Sequence, residues 1–289
     1  MLKNNFALGF WRLDDAKLSQ KQTVELVEKA LDLGISTMDH ADIYGEYKCE
    51  KLFGDALQNH SHLRDKMQIV SKCGIKFECD FTPKNKVKHY DLSPASIIES
   101  AENSLKNLRT DYLDLLLVHR PSPLMNAEVI AETFEKLRKE GKVKEFGVSN
   151  FTPSQFNLLN SYIPLKTNQV EISVLHTDTF YDGTLDQLQQ HKIRPMAWSP
   201  LAGGKIFNPE TSKEKELVAF MQTLVTKYNV NSIDQIAMAW LLKHPAKPQV
   251  IIGSQNISRL ENTVKSQEIN LDVQDWFKIL EISNGHEAP

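Results

Sequence analysis

Four side chains in the first half of the chain carry complementary acid–base chemistry: Asp39, Tyr44, Lys72 and His119. A tyrosine hydroxyl, with a pKa of about 10, is a poor acid at neutral pH on its own. An ammonium beside it favours the phenolate and pulls that pKa down. A carboxylate beside the ammonium keeps it charged and oriented. An imidazole can donate a hydrogen bond to a substrate oxygen or relay a proton. Together the four suit delivery of a proton to a carbonyl oxygen while hydride reaches its carbon. Singly, each has a plainer use. A strand-end Asp is more often a turn or cap residue, Lys72 a solvated strand end, His119 a satisfied polar group near the core, and Tyr44 rim packing. The reading rests on all four meeting in one place.

The elements that would bring them together are legible as eight short apolar runs: Ala7–Trp11, Ile35–Asp39, Met67–Lys72, Tyr112–His119, Glu145–Ser149, Thr167–Glu171, Arg194–Trp198 and Gln249–Gly253. Several are rich in Val, Ile and Leu, as strands buried on both faces should be. Asp39, Lys72 and His119 end the second, third and fourth runs. Tyr44 follows Asp39 in a turn closed by Gly45. Helical stretches lie between the runs. Ser19 caps one that carries Val24, Val27 and Leu31 and stops at Gly34. Ser93-Pro94 opens another, and Gly141 ends Glu132–Glu140. Thr152–Gln155 and Ser232–Gln235 read as capping boxes, and Asn256 caps a late helix. Strand–helix alternation implies parallel pairing with right-handed crossovers.

Eight such units close into a (β/α)8 barrel, an α/β fold that uses about 250 residues and collects its chemistry at the C-terminal ends of the strands. One domain over residues 1–289 is expected. A doubly wound sheet is the runner-up, but no G-x-G-x-x-G turn follows the first strand. The polar stretch Asp80–Tyr90, with Lys84, Lys86 and Lys88, reads as a solvated loop. Phe10, Trp11, Tyr47, Phe77 and Phe81 are candidates for an apolar substrate pocket.

Composition narrows the function classes. Lys and Arg number 34 against 37 Asp and Glu, a net charge of -3, which argues against a general nucleic-acid or membrane-surface binder. Cys49, Cys73 and Cys79 form no CxxC pair, so neither a disulfide framework nor a structural zinc site is expected, and a reducing compartment is the simpler reading. The start lacks a signal-peptide layout, and no apolar run approaches the roughly 20 residues that span a bilayer. A cytoplasmic protein without an obligate protein partner is expected.

Seven ordered segments resemble the aldo-keto reductase superfamily: Met38–Gly45, Ile69–Lys72, Leu115–Pro121, Phe146–Phe151, Asn168–Glu171, Trp198–Gly204 and Ile251–Asn256 with Arg259 close behind. They cover nearly the whole chain and are similar above all to the YdhF-like branch of bacterial oxidoreductases. The resemblance implies a catalytic tetrad of Asp39, Tyr44, Lys72 and His119, and NADPH as hydride donor, with NADH less favoured and no metal. It assigns Ser149, Asn150 and Gln169 to the nicotinamide carboxamide, and Trp198 to stacking on the nicotinamide ring. Trp11, Ser199 and Leu201 join the cofactor set, and Gly203, Gly204 and Lys205 are placed over the pyrophosphate. Gly253, Ser254, Asn256 and Arg259 form the expected 2′-phosphate site at a helix N-terminus. Two departures stand out. Gly253 takes the place of a lysine frequent in the superfamily, and only Met1 to Asn5 precede the first strand, so the hairpin that plugs the barrel bottom is expected to be short or absent. Two other readings remain open: a cofactor-binding sensing protein like the potassium-channel β-subunits, and a metal-dependent hydrolase using Asp39, His40, Asp42 and His119.

Overall fold

The apolar runs become strands because they are long enough to cross a barrel wall and too short for helices. A computed structural model describes residues 4–287. The strands are β1 (Phe6–Gly9), β2 (Thr37–Asp39), β3 (Gln68–Cys73), β4 (Ile75–Lys76), β5 (His89–Tyr90), β6 (Leu113–Val118), β7 (Val143–Ser149), β8 (Asn168–Glu171), β9 (Met196–Trp198) and β10 (Gln249–Ile252). Eight of them form a closed barrel in the order β1-β10-β9-β8-β7-β6-β3-β2. All six residues of β6 are buried, as a strand covered on both faces requires. Register is parallel between neighbours: Asp39 of β2 lies opposite Gly9 of β1 and Val70 of β3, and Lys72 of β3 lies opposite Leu117 of β6.

Between the strands run α1 (Leu13–Ala16), α2 (Gln20–Asp32), α3 (Cys49–Leu57), α4 (Pro94–Leu108), α5 (Ala127–Lys139), α6 (Pro153–Asn160), α7 (Thr184–Gln190), α8 (Ser212–Lys227) and α9 (Ile233–Leu242), and after β10 come α10 (Ile257–Val264) and α11 (Val273–Asn284). Thr152 forms the expected capping box with Gln155, and Ser19, expected as a plain cap, forms one too with Gln22, each cap worth about 1 kcal/mol. Ser232 does not. Its hydroxyl donates to the Asp234 carboxylate, and Gln235 accepts from the Asn231 N–H instead. The Asp80–Tyr90 stretch is also less irregular than its composition implies, since β5 pairs antiparallel with β4. No described helix is long and apolar enough to cross a membrane. The expectation about the leading hairpin falls partly on residues 1–3, which lie outside the described residues.

The backbone groups into two compact units. The first holds Ala7–Asn168 with Gly253–Gln255. Within it the Arg64 guanidinium lies 3.8 Å from the centroid of the Tyr112 ring and donates to the Tyr112 and Met67 carbonyls and to the buried Asp114 carboxylate. Asp114 also accepts from the Ile69 N–H, so one carboxylate ties the start of β3 to β6. The second unit holds Gln169–Ile252 and most of the chain after Gln255. Its core includes Trp240 stacked on Trp276 at 5.1 Å, each indole N–H donating to the other's backbone carbonyl. That reciprocal pairing satisfies both polar edges while burying two large apolar faces.

Helices α3 and α4 pack closely in the first unit because Gly54 has no side chain. A Cβ there would meet the Asn107 carbonyl oxygen at 2.0 Å and Leu108 backbone carbons at 2.9 Å. Backbone cannot yield as a flexible side chain does. Gly54→Ala is therefore expected to destabilise the fold by about 1–3 kcal/mol, read as a lower urea midpoint with an unchanged slope. An unshifted midpoint would show that the two helices can separate at little cost.

Candidate active site

The ammonium of Lys72 is the centre of the first unit's polar core. Its side chain is fully buried. The nitrogen lies 2.9 Å from both Asp39 oxygens, 2.7 Å from the His40 carbonyl and 2.9 Å from the Tyr44 hydroxyl oxygen. An ammonium has three hydrogens. One shared across the Asp39 carboxylate, one to the carbonyl and one to Tyr44 use them all. The Tyr44 oxygen is therefore an acceptor from Lys72, and its own O–H remains to donate elsewhere.

Tyr44 is held there by a compact turn. Its N–H donates to the Ala41 carbonyl, and its carbonyl receives the Lys48 and Cys49 N–H groups. Gly45, Glu46 and Tyr47 then follow with φ of 57°, 53° and 68°. This left-handed run turns the chain into α3, and at Gly45 any Cβ would come within 2.6 Å of the Cys49 sulfur. His119 follows β6, its N–H bonded to the Cys73 carbonyl. Its ring meets Tyr44 edge-on, centroids 5.9 Å apart. The four residues expected to act together do converge.

Electrostatics revise one expectation. Burial pulls the Lys72 pKa down, but Asp39 and Tyr44 push it up further, so it ends above the ordinary lysine value. For Tyr44, burial raises the pKa and Lys72 lowers it, and the net direction is upward. The expected acidified phenol is thus corrected: withdrawal from water outweighs the ammonium, and the hydroxyl keeps its proton at neutral pH. Burial, with Lys72, Arg120 and Lys88 adding to it, lowers the His119 pKa well below 6.5, so the imidazole is neutral. Its Nδ1 has no hydrogen-bond partner among the described residues.

Behind Lys72 lies a second buried layer that sequence reading missed. The Glu50 carboxylate accepts from Ser71 at 2.6 Å, with Ser104 3.4 Å from Ser71. Asp42 accepts from Ser100 at 2.6 Å. One oxygen of each acid is buried without a partner among the described residues. Burial raises Glu50 to about 7 and Asp42 to about 6. A signal for Glu50 existed: it shares the buried face of α3 with Cys49, Phe53, Gly54 and Ala56, and a carboxyl on such a face needs an explanation.

The hydrolase ligand set does not assemble. Asp39 is engaged by Lys72. The fully buried His40 ring is stacked on Phe10 at 4.6 Å and packed edge-on against Phe53, burial holding its pKa at about 3. Asp42 faces Ser100. Phe10 is consequently core and lines no pocket. Tyr47 does stack on Phe77, at 5.5 Å, while Phe81 is exposed near Lys48. Trp11 is 58% exposed, with its ring 6.5 Å from that of Tyr44.

The residues expected to hold the cofactor are placed within each unit as follows. In the first, Ser149 ends β7 and accepts from the Asn150 amide at 2.7 Å, Asn150 having φ of 60°. Gly253 and Ser254 follow β10, and Gln255 donates to the Gly9 carbonyl at 2.7 Å. In the second unit, Gln169 is buried in β8, its amide 3.8 Å from the Met196 sulfur. Trp198 ends β9 half-buried. The loop beyond it, through Leu201 to Lys205, has φ of 49° at Ser199, 50° at Ala202, 68° at Gly203 and 100° at Gly204. No atom lies within 4 Å of where a Cβ would sit on Gly203 or Gly204, so that backbone is open to a ligand. Lys205 is exposed. At α10, Asn256 accepts from the Arg259 N–H at 3.2 Å. The Arg259 side chain is exposed and forms no ion pair among the described residues. An open glycine loop and an uncommitted guanidinium at a helix N-terminus fit a phosphate-bearing cofactor.

With this geometry in place, likeness to known proteins is informative. The family model for the aldo/keto reductase family matches residues 5–284. Oxidoreductase YdhF of Escherichia coli (strain K12) is 48% identical over 99% of this chain and 95% of its own length. A 6-dehydroglucose reductase of Agrobacterium fabrum is 42% identical over 97% of this chain and 94% of its own. A crystal structure of an aldo/keto reductase from Klebsiella pneumoniae in complex with NADP and acetate superposes with a TM-score of 0.78 at 24% identity, over 99% of this chain and 92% of that one. The chain belongs to the aldo/keto reductase family.

Glu50 provides a test of the second layer. Its folded pKa of about 7 lies above the ordinary 4.5, so between those values the folded state keeps a proton that the unfolded chain has released. That stabilisation is complete below about pH 4.5 and is lost as pH rises through about 7. Glu50→Gln removes the dependence. The variant should gain on the parent protein by about 2 kcal/mol between pH 5 and pH 8, measured by urea unfolding at each pH. Parallel pH profiles would mean that Glu50 is ionised and compensated in the fold.

Proposed function

We propose that this chain, acting as one reductase domain over residues 1–289, reduces an aldehyde or ketone with NADPH, Tyr44 giving the proton to the carbonyl oxygen. The observation that carries this reading is the exhausted donor capacity of Lys72, which leaves the Tyr44 O–H directed away from it. NADPH supplies the hydride. Ser149, Asn150 and Gln169 orient its carboxamide, Trp198 stacks on its ring, and Trp11 closes beside Tyr44. Ser199, Leu201, Gly203 and Lys205 cover the pyrophosphate. Gly253, Ser254, Asn256 and Arg259 hold the 2′-phosphate, which is the reason for preferring NADPH over NADH.

The proton path follows from the site's own charges. A phenol with a raised pKa holds its proton until an acceptor arrives. As that proton leaves, the Lys72 ammonium 2.9 Å away stabilises the phenolate oxygen. Asp39 keeps Lys72 in place and charged, and neutral His119 donates a hydrogen bond to the substrate oxygen. The complete tetrad supports turnover over a purely sensing role. The name of the Agrobacterium relative adds sugar aldehydes and ketones to the substrates worth testing.

A carbonyl panel followed by NADPH absorbance, with NADH as control, tests the activity. Tyr44→Phe should lower kcat by about 10²–10⁴-fold while NADPH binding, read by fluorescence titration, stays within about twofold. Turnover close to that of the unaltered protein would remove Tyr44 as proton donor. Arg259→Ala should weaken NADPH by about tenfold or more, the equivalent of one lost charge-assisted contact of about 1.5–3 kcal/mol, with NADH unchanged. Equal losses for both would place the 2′-phosphate elsewhere.

A further inference from the structure

Away from the tetrad, the imidazoles of His60 and His62 and the carboxylate of Glu28 converge, each offering a ligand atom within 4.8 Å of the others. Glu28 comes from α2, and the two histidines from the connection between α3 and β3. The backbone around His60 is fixed, its N–H bonded to the Leu57 carbonyl and its carbonyl to the Leu63 N–H. The two rings lie 6.0 Å apart and tilted by 49°. None of the three side chains is otherwise committed. Glu25, one turn before Glu28, pairs with Lys21, whereas Glu28 pairs with no cation among the described residues, and no ring nitrogen of His60 or His62 finds a hydrogen-bond partner there.

We propose that Glu28, His60 and His62 form a zinc site that staples α2 to the segment leading into β3. Two imidazoles and one carboxylate are a borderline donor set that suits Zn²⁺ over Mg²⁺ or Ca²⁺. A tetrahedral shell with bonds of about 2.0–2.2 Å sets ligand atoms about 3.3 Å apart. The side chains reach that spacing by closing at most about 1.5 Å, and water completes the fourth position. This site departs from the metal-free expectation drawn from the cysteines, because it uses none of them. It is independent of the reductase reading.

The test uses the full chain without a polyhistidine tag, stripped by a chelator and titrated with zinc chloride against a chromophoric competitor. One equivalent should bind at pH 7.5. His60→Ala combined with His62→Ala should weaken binding by at least about 100-fold, and Glu28→Gln, a surface change on an intact helix, by at least about tenfold. Lowering the pH to 5.5 sets protons in competition with zinc for the ligand atoms and should weaken binding by at least about tenfold. Zinc should raise the melting temperature of the parent protein but not of the double variant. NADPH oxidation with a responsive carbonyl should be unchanged in every variant. Absence of saturable binding, or parental affinity in both Glu28→Gln and the double variant, would overturn the proposal.

Discussion

The Lys72 ammonium is a full charge taken out of water, and the surrounding structure is arranged to compensate it. Removing an isolated ammonium from solvent is prohibitive unless its hydrogens are met and its charge opposed. Both conditions are satisfied by three groups that the sequence keeps within a few residues of one another: the Asp39 carboxylate, the His40 carbonyl and the Tyr44 hydroxyl. Taking away Asp39 would leave the charge unopposed, a loss of about 3–5 kcal/mol in comparable buried pairs. The same interaction therefore meets the buried charge and leaves the Tyr44 O–H pointing away from Lys72.

Barrel geometry makes that meeting reproducible. Parallel register sets Asp39 at the end of β2, opposite Val70 of β3, with Lys72 two residues further along the neighbouring strand. Two residues on, a side chain returns to the same face. The left-handed run from Gly45 to Tyr47 then reverses the chain so that Tyr44 lies over the ammonium and α3 begins at once. His119 arrives from β6, the strand on the other side of β3. Three neighbouring barrel strands and the turn after β2 thus bring the four residues together.

Much of this was legible because it depends on periodicity and position. Buried strands show as unbroken apolar runs, and polar residues that end them stand out: Asp39, Lys72 and His119 could be picked from the sequence for that reason. What depends on depth in the folded state could not. The sign of the Tyr44 shift is set by burial against one nearby charge, and the sequence gives no measure of burial at a turn. Phe10 and His40 looked available for a pocket and a metal, yet each consumes the other's surface by stacking. Two-residue strands such as β4 and β5 carry no periodic signal at all, and Ser232 was diverted from capping by an acid two residues away.

The buried acids behind Lys72 bear on the charge balance around the ammonium. Asp42 and Glu50 each have an unpartnered buried oxygen, and each is pushed toward the protonated form by burial. Were both fully ionised, two further negative charges would lie near the ammonium and disfavour a Tyr44 phenolate. With pKa values raised to about 7 and about 6, they carry less negative charge near neutral pH than ordinary carboxylates would, and Lys72 and Asp39 remain the close ion pair of the site. A phenol proposed as the proton donor in such a site need not be a strong acid at rest. It needs a conjugate base that is stabilised once the proton has gone, and a lysine already positioned 2.9 Å from the oxygen provides that without rearrangement.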